Sequence, residues 1–156
     1  MVSHHEIANV YMNTDNEQLA LHAACDFNKG EVVAEFSATS TQTYPSYLTV
    51  QVDIHKHINL HPKFLECINH SCAPSVFFDT TSMKLIALMD IKNGQEFTFF
   101  YPSTEWSMKQ PFTCHCGSEQ CLQLISGAQY LDKQILKKYL FTQFITQQLQ
   151  LKNQEM

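Results

Sequence analysis

No stretch of this sequence approaches the roughly 18 consecutive apolar residues needed to span a bilayer. The opening residues, MVSHHEIANVYM, hold no cationic segment leading into an apolar one, so no secretory leader is expected. There is no run of basic residues, which removes both the electrostatic footprint of a nucleic-acid binder and a basic localisation signal. No internal repeat is present. The net charge of −5 over 156 residues makes direct nucleic-acid or membrane contact unexpected. An acidic surface suits a basic partner instead, such as a lysine-rich protein tail. Without a leader or a localisation run, cytoplasm is the default compartment, with the nucleus as the alternative in a eukaryote. The oligomeric state has no signature in the sequence.

Against these absences, hydrophobic residues make up 44% of the chain and charged residues 16%, the balance of a globular protein with room for one real core. Five of the six cysteines crowd into two stretches, CINHSCAPSV at 67–76 and CHCGSEQC at 114–121. In a reducing compartment such clusters point to metal binding rather than disulfides.

The first three quarters read as short strands separated by turns. HEIANVYM alternates. Lys29-Gly30 is a turn feeding an apolar strand from Val32 to Phe36. SATSTQTYPS (37–46) is polar, contains a proline and reads as a loop. YLTVQVDI is β-branched and alternating, HPKFLECI suits one or two helical turns beginning near Pro62, and SVFFD with KLIALMD forms a hairpin around TTSM. IKNGQEFTFFY repeats the turn-then-strand pattern around Gly94. After residue 131 the pattern changes. Leu136, Leu140, Phe144 and Ile145 have helical spacing with Asp132 as N-cap, which predicts one helix docked on the strand-rich body and a fraying glutamine-rich end at 147–156.

Cys114, Cys116 and Cys121 form C-x-C-x4-C, and Cys72 is the candidate fourth thiolate. Four thiolates at tetrahedral angles make a closed, structural zinc site, and Gly117 would permit the sharp bend that lets two cysteines one residue apart reach one ion. The alternative is a set of small buried thiols without metal. That alternative is the reading taken for Cys25 and Cys67.

INHSCAP, then ALMDIKNGQEFTFFY, then FTCHCGSEQC, resembles the SET-domain protein lysine methyltransferases with their post-SET zinc segment, whose usual strings are close to R-F-I-N-H-S-C-x-P-N, A-x-x-D-I-x-x-G-E-E-L-T-x-D-Y and C-x-C-x4-C. The resemblance covers about residues 5 to 130. It implies a mainly β fold with short helices, the SET β-clip with a knot-like crossing, here followed by a C-terminal α-helix. It divides the chain into a SET domain at 1–110, a post-SET zinc segment at 111–130, and a C-terminal helix and tail at 131–156. It also implies that Cys72 joins the three later cysteines on one zinc, that Asn69 and His70 contact S-adenosylmethionine, and that Tyr101 is the catalytic tyrosine. Leu19 and Ala20 fall where the family's cofactor-binding G-x-G should be, as Gln18-Leu19-Ala20. His115 is placed by position against the adenine. Phe99, Tyr101 and Trp106 would wall the lysine channel, and Phe99, where the family tunes product, predicts di- or trimethylation.

Further departures are Glu66-Cys67 for Arg-Phe, Ser75 for Asn, Phe100 for Asp, and a very short insert ahead of the Asn-His motif. His55, His57 and His61 lack a completing ligand and read as a solvated face. Three readings stand side by side: a protein-lysine methyltransferase, a SET-like binding module without catalysis, and a plain zinc-stapled interaction domain. The substrate is a basic protein or peptide; histone tails, a ribosomal protein and other basic proteins all fit.

Overall fold

The computed structural model describes residues 1–46 and 48–155. Strands β1 (Ser3–His4), β2 (Ala8–Met12) and β3 (Leu19–Ala23) form an antiparallel sheet in that order. After β4 (Val32–Glu35), a second sheet is built from β5 (Ser37–Gln42), β6 (Val50–Asp53) and β7 (Lys56–His61), ordered β5-β7-β6. A 3₁₀ turn at Lys63–Cys67 leads into β8 (Asn69–His70). The expected hairpin, β9 (Val76–Asp79) and β10 (Lys84–Ala87), joins β4 in the order β4-β10-β9. β11 (Thr98–Phe99) then runs parallel to β8, and β12 (Phe112–Thr113) pairs with β13 (Leu124–Ile125). The expected mainly β architecture with short helices is what forms.

The turns follow the glycines. Gly30 and Gly94 have φ of 92° and 93°, a region costly for a residue with a Cβ, and each opens the turn before an apolar segment. The main core joins the first sheets through Leu21, Phe78, Leu85, Ile91 and Phe97, all fully buried. Phe78 sits at its centre, edge-on to both Phe36 and Phe99. Two smaller clusters lie beyond it, one around Cys72, Cys114 and Ile125, the other around Ala128, Phe144 and Ile145.

Four sequence expectations are corrected. Residues 37–42, read as a loop, form edge strand β5, held to β7 by backbone bonds from Ser37↔His61 to Gln42↔His57. None of its side chains is buried, so there was no alternation to read, and its Thr and Ser residues suit a solvated strand. Cys25, read as a buried thiol, is exposed. The single C-terminal helix is two: α1 (Lys133–Leu136), capped by Asp132, which accepts from Ile135 N–H at 2.9 Å, and α2 (Gln143–Glu155). The break has a cause. Tyr139 stacks flat on Phe100, centroids 3.7 Å apart, and Thr142 N–H donates to the Ser103 carbonyl at 3.0 Å. Thr142 Oγ1 then accepts from Ile145 N–H and starts α2 afresh. Leu140, counted in the apolar stripe, is exposed. The glutamine-rich end stays helical to Glu155, with Lys152 donating to the Gln129 carbonyl; Tyr47 of the expected YLTVQVDI strand and Met156 lie outside the described residues.

One buried carboxylate ties the second sheet to the segment after Tyr101. Glu105 accepts from Gln51 N–H at 2.9 Å and from the Thr104 hydroxyl at 2.6 Å, while Gln51 Oε1 accepts from Trp106 N–H. Burial pushes its carboxyl up to about 7, against the pull of those two hydrogen bonds. The folded chain therefore holds a proton that the unfolded chain releases near 4.5, so stability is greatest below that value and falls as pH rises toward about 7. At ~1.36 kcal/mol per unit, the loss should approach about 3 kcal/mol. Glu105→Gln keeps the acceptor oxygen and cannot ionise. Urea unfolding from about pH 5 to pH 8 should show wild type falling relative to this variant; parallel profiles would remove the ionisation from the account.

Candidate active site and cysteine cluster

The parallel pairing of β8 with β11 sets Asn69 opposite Thr98 and His70 opposite Phe99. Asn69 Nδ2 donates to the Leu19 carbonyl at 2.8 Å and lies 3.4 Å from Glu96 Oε2, and Gln18 Nε2 donates to Asn69 Oδ1 at 3.1 Å. The strand that lacks the expected glycines is thus stitched directly to the Asn-His motif. Leu19 is exposed and Ala20 half-buried at this rim.

His70 is placed between two functional groups. Tyr101 N–H donates to its Nδ1 at 3.1 Å, which leaves the proton on Nε2, 3.4 Å from Cys72 Sγ. Burial lowers its pKa to about 4, so the ring is neutral. With both ring nitrogens engaged, the His70 side chain acts as a strut between the tyrosine and the sulfur cluster. The Phe100, Tyr101 and Phe112 rings surround it, centroids 5.2–5.6 Å away.

Tyr101 begins a short 3₁₀ turn, Tyr101–Ser103, directly after β11. Its ring packs on Phe99 at 4.6 Å and Phe112 at 5.8 Å, and its hydroxyl lies 3.5 Å from the Ile68 carbonyl, a long contact. Burial, and after it the carboxylates of Glu105 and Glu96, push the phenol well above its ordinary value. The hydroxyl therefore stays protonated, a dipole rather than a base. Beside Phe99 runs a crevice of about 10 Å³ lined by Thr49, Leu65, Glu66 and Ile68.

The sulfurs of Cys72, Cys114, Cys116 and Cys121 all lie within 4.8 Å of one another. Four ligands about 2.3 Å from one zinc at tetrahedral angles would stand roughly 3.8 Å apart, so the set fits that ion. Gly117, at φ 76°, makes the predicted bend. Burial pushes the Cys72 thiol up to about 11 and Cys114 higher still. Burial acts the same way on Cys116, but hydrogen bonds in the cluster overcome it and draw that thiol down to about 6. Thiols packed this closely cannot all ionise without a cation, which is the condition a divalent metal relieves. Leu122 N–H donates to Cys72 Sγ at 3.3 Å, a supporting bond of the kind ligated sulfurs receive.

Not every candidate joins this group. Trp106, expected in the channel wall, packs instead with Phe141 and Phe144 under α2. His115 is exposed. His55 and His61 are exposed, but His57, read as part of the same solvated face, is buried, with no partner for Nδ1 among the described residues. Sequence reasoning missed Phe112, Glu105 and Tyr139. Tyr139, whose hydroxyl donates to the Cys72 carbonyl at 2.6 Å, lies outside the predicted apolar stripe and carried no signal of its own.

The SET domain family model matches residues 18–102, more than half of the chain. Methyltransferase flvH of Aspergillus flavus is 44% identical over 96 residues, 60% of this chain and 53% of the relative, so the chain spans about half the length of that curated relative. Among solved structures, KRYPTONITE in complex with mCHH DNA, H3(1-15) peptide and SAH is similar at TM-score 0.56 and 20% identity, covering 75% of this chain and 29% of that one. KRYPTONITE with mCHG DNA and SAH is similar at 0.59 and 20%, covering 78% and 30%. At that identity the likeness speaks for the fold alone. The matched span runs from the strand bonded to Asn69, through the Asn-His motif, to the residue after Tyr101, and with it the chain belongs to the SET-domain family.

Proposed function

We propose that this chain is an S-adenosylmethionine-dependent methyltransferase acting on the ε-amine of a lysine in a basic protein or peptide, adding two or three methyl groups. The observation that carries the reading is the His70 ring, which joins Tyr101 to Cys72 and so makes one unit of the tyrosine, the Asn-His motif and the sulfur cluster. Family membership and the flvH relative support methyl transfer. KRYPTONITE, named with an H3 peptide and SAH, supports a peptide substrate and this methyl donor. We further propose the division into a SET domain at 1–110, a post-SET zinc segment at 111–130 and a C-terminal portion at 131–156, with the second and third hydrophobic clusters joining each later portion to residues of the one before it.

The donor set fits a cationic methyl donor: the Glu96 carboxylate lies beside Asn69, and the Tyr101 and Ile68 oxygens face one another next to aromatic rings that tolerate positive charge. S-adenosylmethionine would supply a methyl on sulfonium sulfur. A lysine amine placed in line with it would form the new N–C bond as the C–S bond broke to a thioether, with the departing proton going to water. The chain's part is to hold the reacting groups in line, worth far more here than acid-base work. A desolvated, aromatic-walled channel favours the neutral amine over the ammonium. Glu66, where the family has arginine, lines the crevice beside Phe99 and suits a cationic side chain approaching from solvent. Zinc on Cys72, Cys114, Cys116 and Cys121 would be structural, fixing Phe112 against His70 and Tyr101.

A second reading, a SET-like module with weak or no catalysis, draws on Gln18-Leu19-Ala20 in place of the glycine pair. Calorimetric titration with S-adenosylmethionine separates a donor-binding protein from a simple zinc-stapled module, and transfer of labelled methyl to basic proteins of a lysate separates an active enzyme from an inert one.

Three outcomes are expected. Protein purified without chelator under reducing conditions should carry one zinc per chain, and chelation should raise hydrogen exchange across 112–121 while the strand core persists; an ion count of zero would end the assignment. Tyr101→Phe, which leaves the fold intact, should lower turnover at least about tenfold, ~1.4 kcal/mol, and full activity would remove the tyrosine's role. Phe99 is packed against Phe78 and Tyr101 and offers no anchor for water, so a growing methylamine meets only apolar surface. A hydroxyl in Phe99→Tyr could hold one water in the small crevice and block later transfers. Mass spectrometry at long times with excess donor should show multiply methylated product from wild type and a shift to monomethyl product from the variant; monomethyl product alone from wild type would defeat this.

A further inference from the structure

One cavity has a lining that includes neither Asn69, His70 nor Tyr101. It holds about 320 Å³ and lies behind the tyrosine segment, where the stretch between α1 and α2 crosses the β4-β10-β9 sheet. That volume is at the small end of the ~300–1,000 Å³ that ordinary ligand sites use. Its wall is mostly apolar: Val76, Phe77 and Leu88 on one side, Phe100 and Tyr139 on the other. Its charged lining residues are both cationic, Lys29 and Lys138. Neither makes an ion pair among the described residues, where Lys92–Asp26 is the pair that forms. Asp90 accepts from the Lys29 backbone N–H at 2.9 Å and so holds that turn, but it does not line the cavity. Ser103 also lines it, is 2% exposed, and its Oγ has no hydrogen-bond partner among the described residues.

Each of these features asks for the same thing. A buried hydroxyl without a partner is costly, and a ligand oxygen would satisfy it. Two lysines on one cavity, in a chain of net charge −5, make a local positive field on an otherwise acidic molecule. The apolar walls need an apolar body. We propose that this cavity is a second ligand site, taking a small organic acid: one carboxylate held by Lys29 and Lys138, on an aliphatic or aromatic body the size of a medium-chain fatty acid. The site is distinct from the Asn69–Tyr101 face. It is also wired to it, since Phe100 adjoins Tyr101 in sequence and Tyr139 bonds the Cys72 carbonyl. Phe100, in place of the family's aspartate, removes a negative charge from this wall.

The test uses decanoate below its micelle concentration, titrated calorimetrically into zinc-loaded protein, with decyltrimethylammonium as the charge-reversed probe. Decanoate should bind saturably at one site per chain, and the cation should not. Lys29→Ala with Lys138→Ala should weaken decanoate at least tenfold. Leu88→Trp, which fills the cavity without changing charge, should abolish binding, with circular dichroism and zinc content confirming that both variants fold. Absence of decanoate binding to wild type at millimolar concentration overturns the proposal. So does equal binding of the two probes, or binding that survives both the double substitution and the filled cavity.

Discussion

Four sulfurs from two distant segments must stay within 4.8 Å of one another, and most of the functional geometry hangs from that constraint. Cys72 lies two residues beyond the Asn-His strand, and the other three lie in the segment after Tyr101. Closing the cluster folds Phe112 back against the tyrosine, brings Leu122 N–H onto Cys72 Sγ and places that sulfur within reach of the His70 ring. Such a cluster is repulsive once its thiols ionise, because a thiolate at one position disfavours its neighbours. A divalent ion held there would turn that repulsion into attraction. Through Phe112 it would also help to position a tyrosine it does not touch.

The departures from the family pattern form pairs rather than scattered losses. Phe100 stands where an aspartate is usual, and it supplies the flat face on which Tyr139 stacks at 3.7 Å. That stack, with the Thr142–Ser103 bond, breaks the C-terminal helix and brings the stretch between its halves onto the body. Gln18 replaces a glycine and uses its longer side chain to bond Asn69. Ser75, in place of an asparagine, bonds Thr98 N–H through its hydroxyl at 2.9 Å and helps seat β11. In each case a lost family feature is matched by a new contact within the same region.

What could be read in advance follows from which signals are local. The 76–87 hairpin, the two glycine turns and the C-x-C-x4-C segment announce themselves within a dozen residues, and all appear where expected. Strand β5 did not, because an edge strand with no buried side chain has no period to detect. Leu136, Leu140, Phe144 and Ile145 share helical spacing, yet a tertiary stack on Phe100 overrides it. Trp106 looked like a channel aromatic because it closely follows Tyr101, but the intervening 3₁₀ turn sends it under α2. His57 and Glu105 are polar residues whose burial only the assembled sheets create. Neither could be told from a surface residue by its neighbours in sequence.

The protonation states around Tyr101 share a direction. His70 is neutral because burial holds its pKa near 4, the Tyr101 phenol is held above its ordinary range, and Glu105 is lifted to about 7. A site arranged for general base catalysis would poise at least one group beside the reacting atoms to accept a proton near neutrality. Here the group nearest that condition, Glu105, is buried against Gln51 and Thr104, with its hydrogen bonds spent on holding two segments together. His70 spends its nitrogens in the same way. The polar groups are committed to fixing the backbone around Tyr101 and Ile68, which leaves two oxygens and a wall of rings beside the tyrosine. That arrangement suits the displacement proposed above, between a neutral amine and a sulfonium, which needs little proton transfer within the protein and much placement.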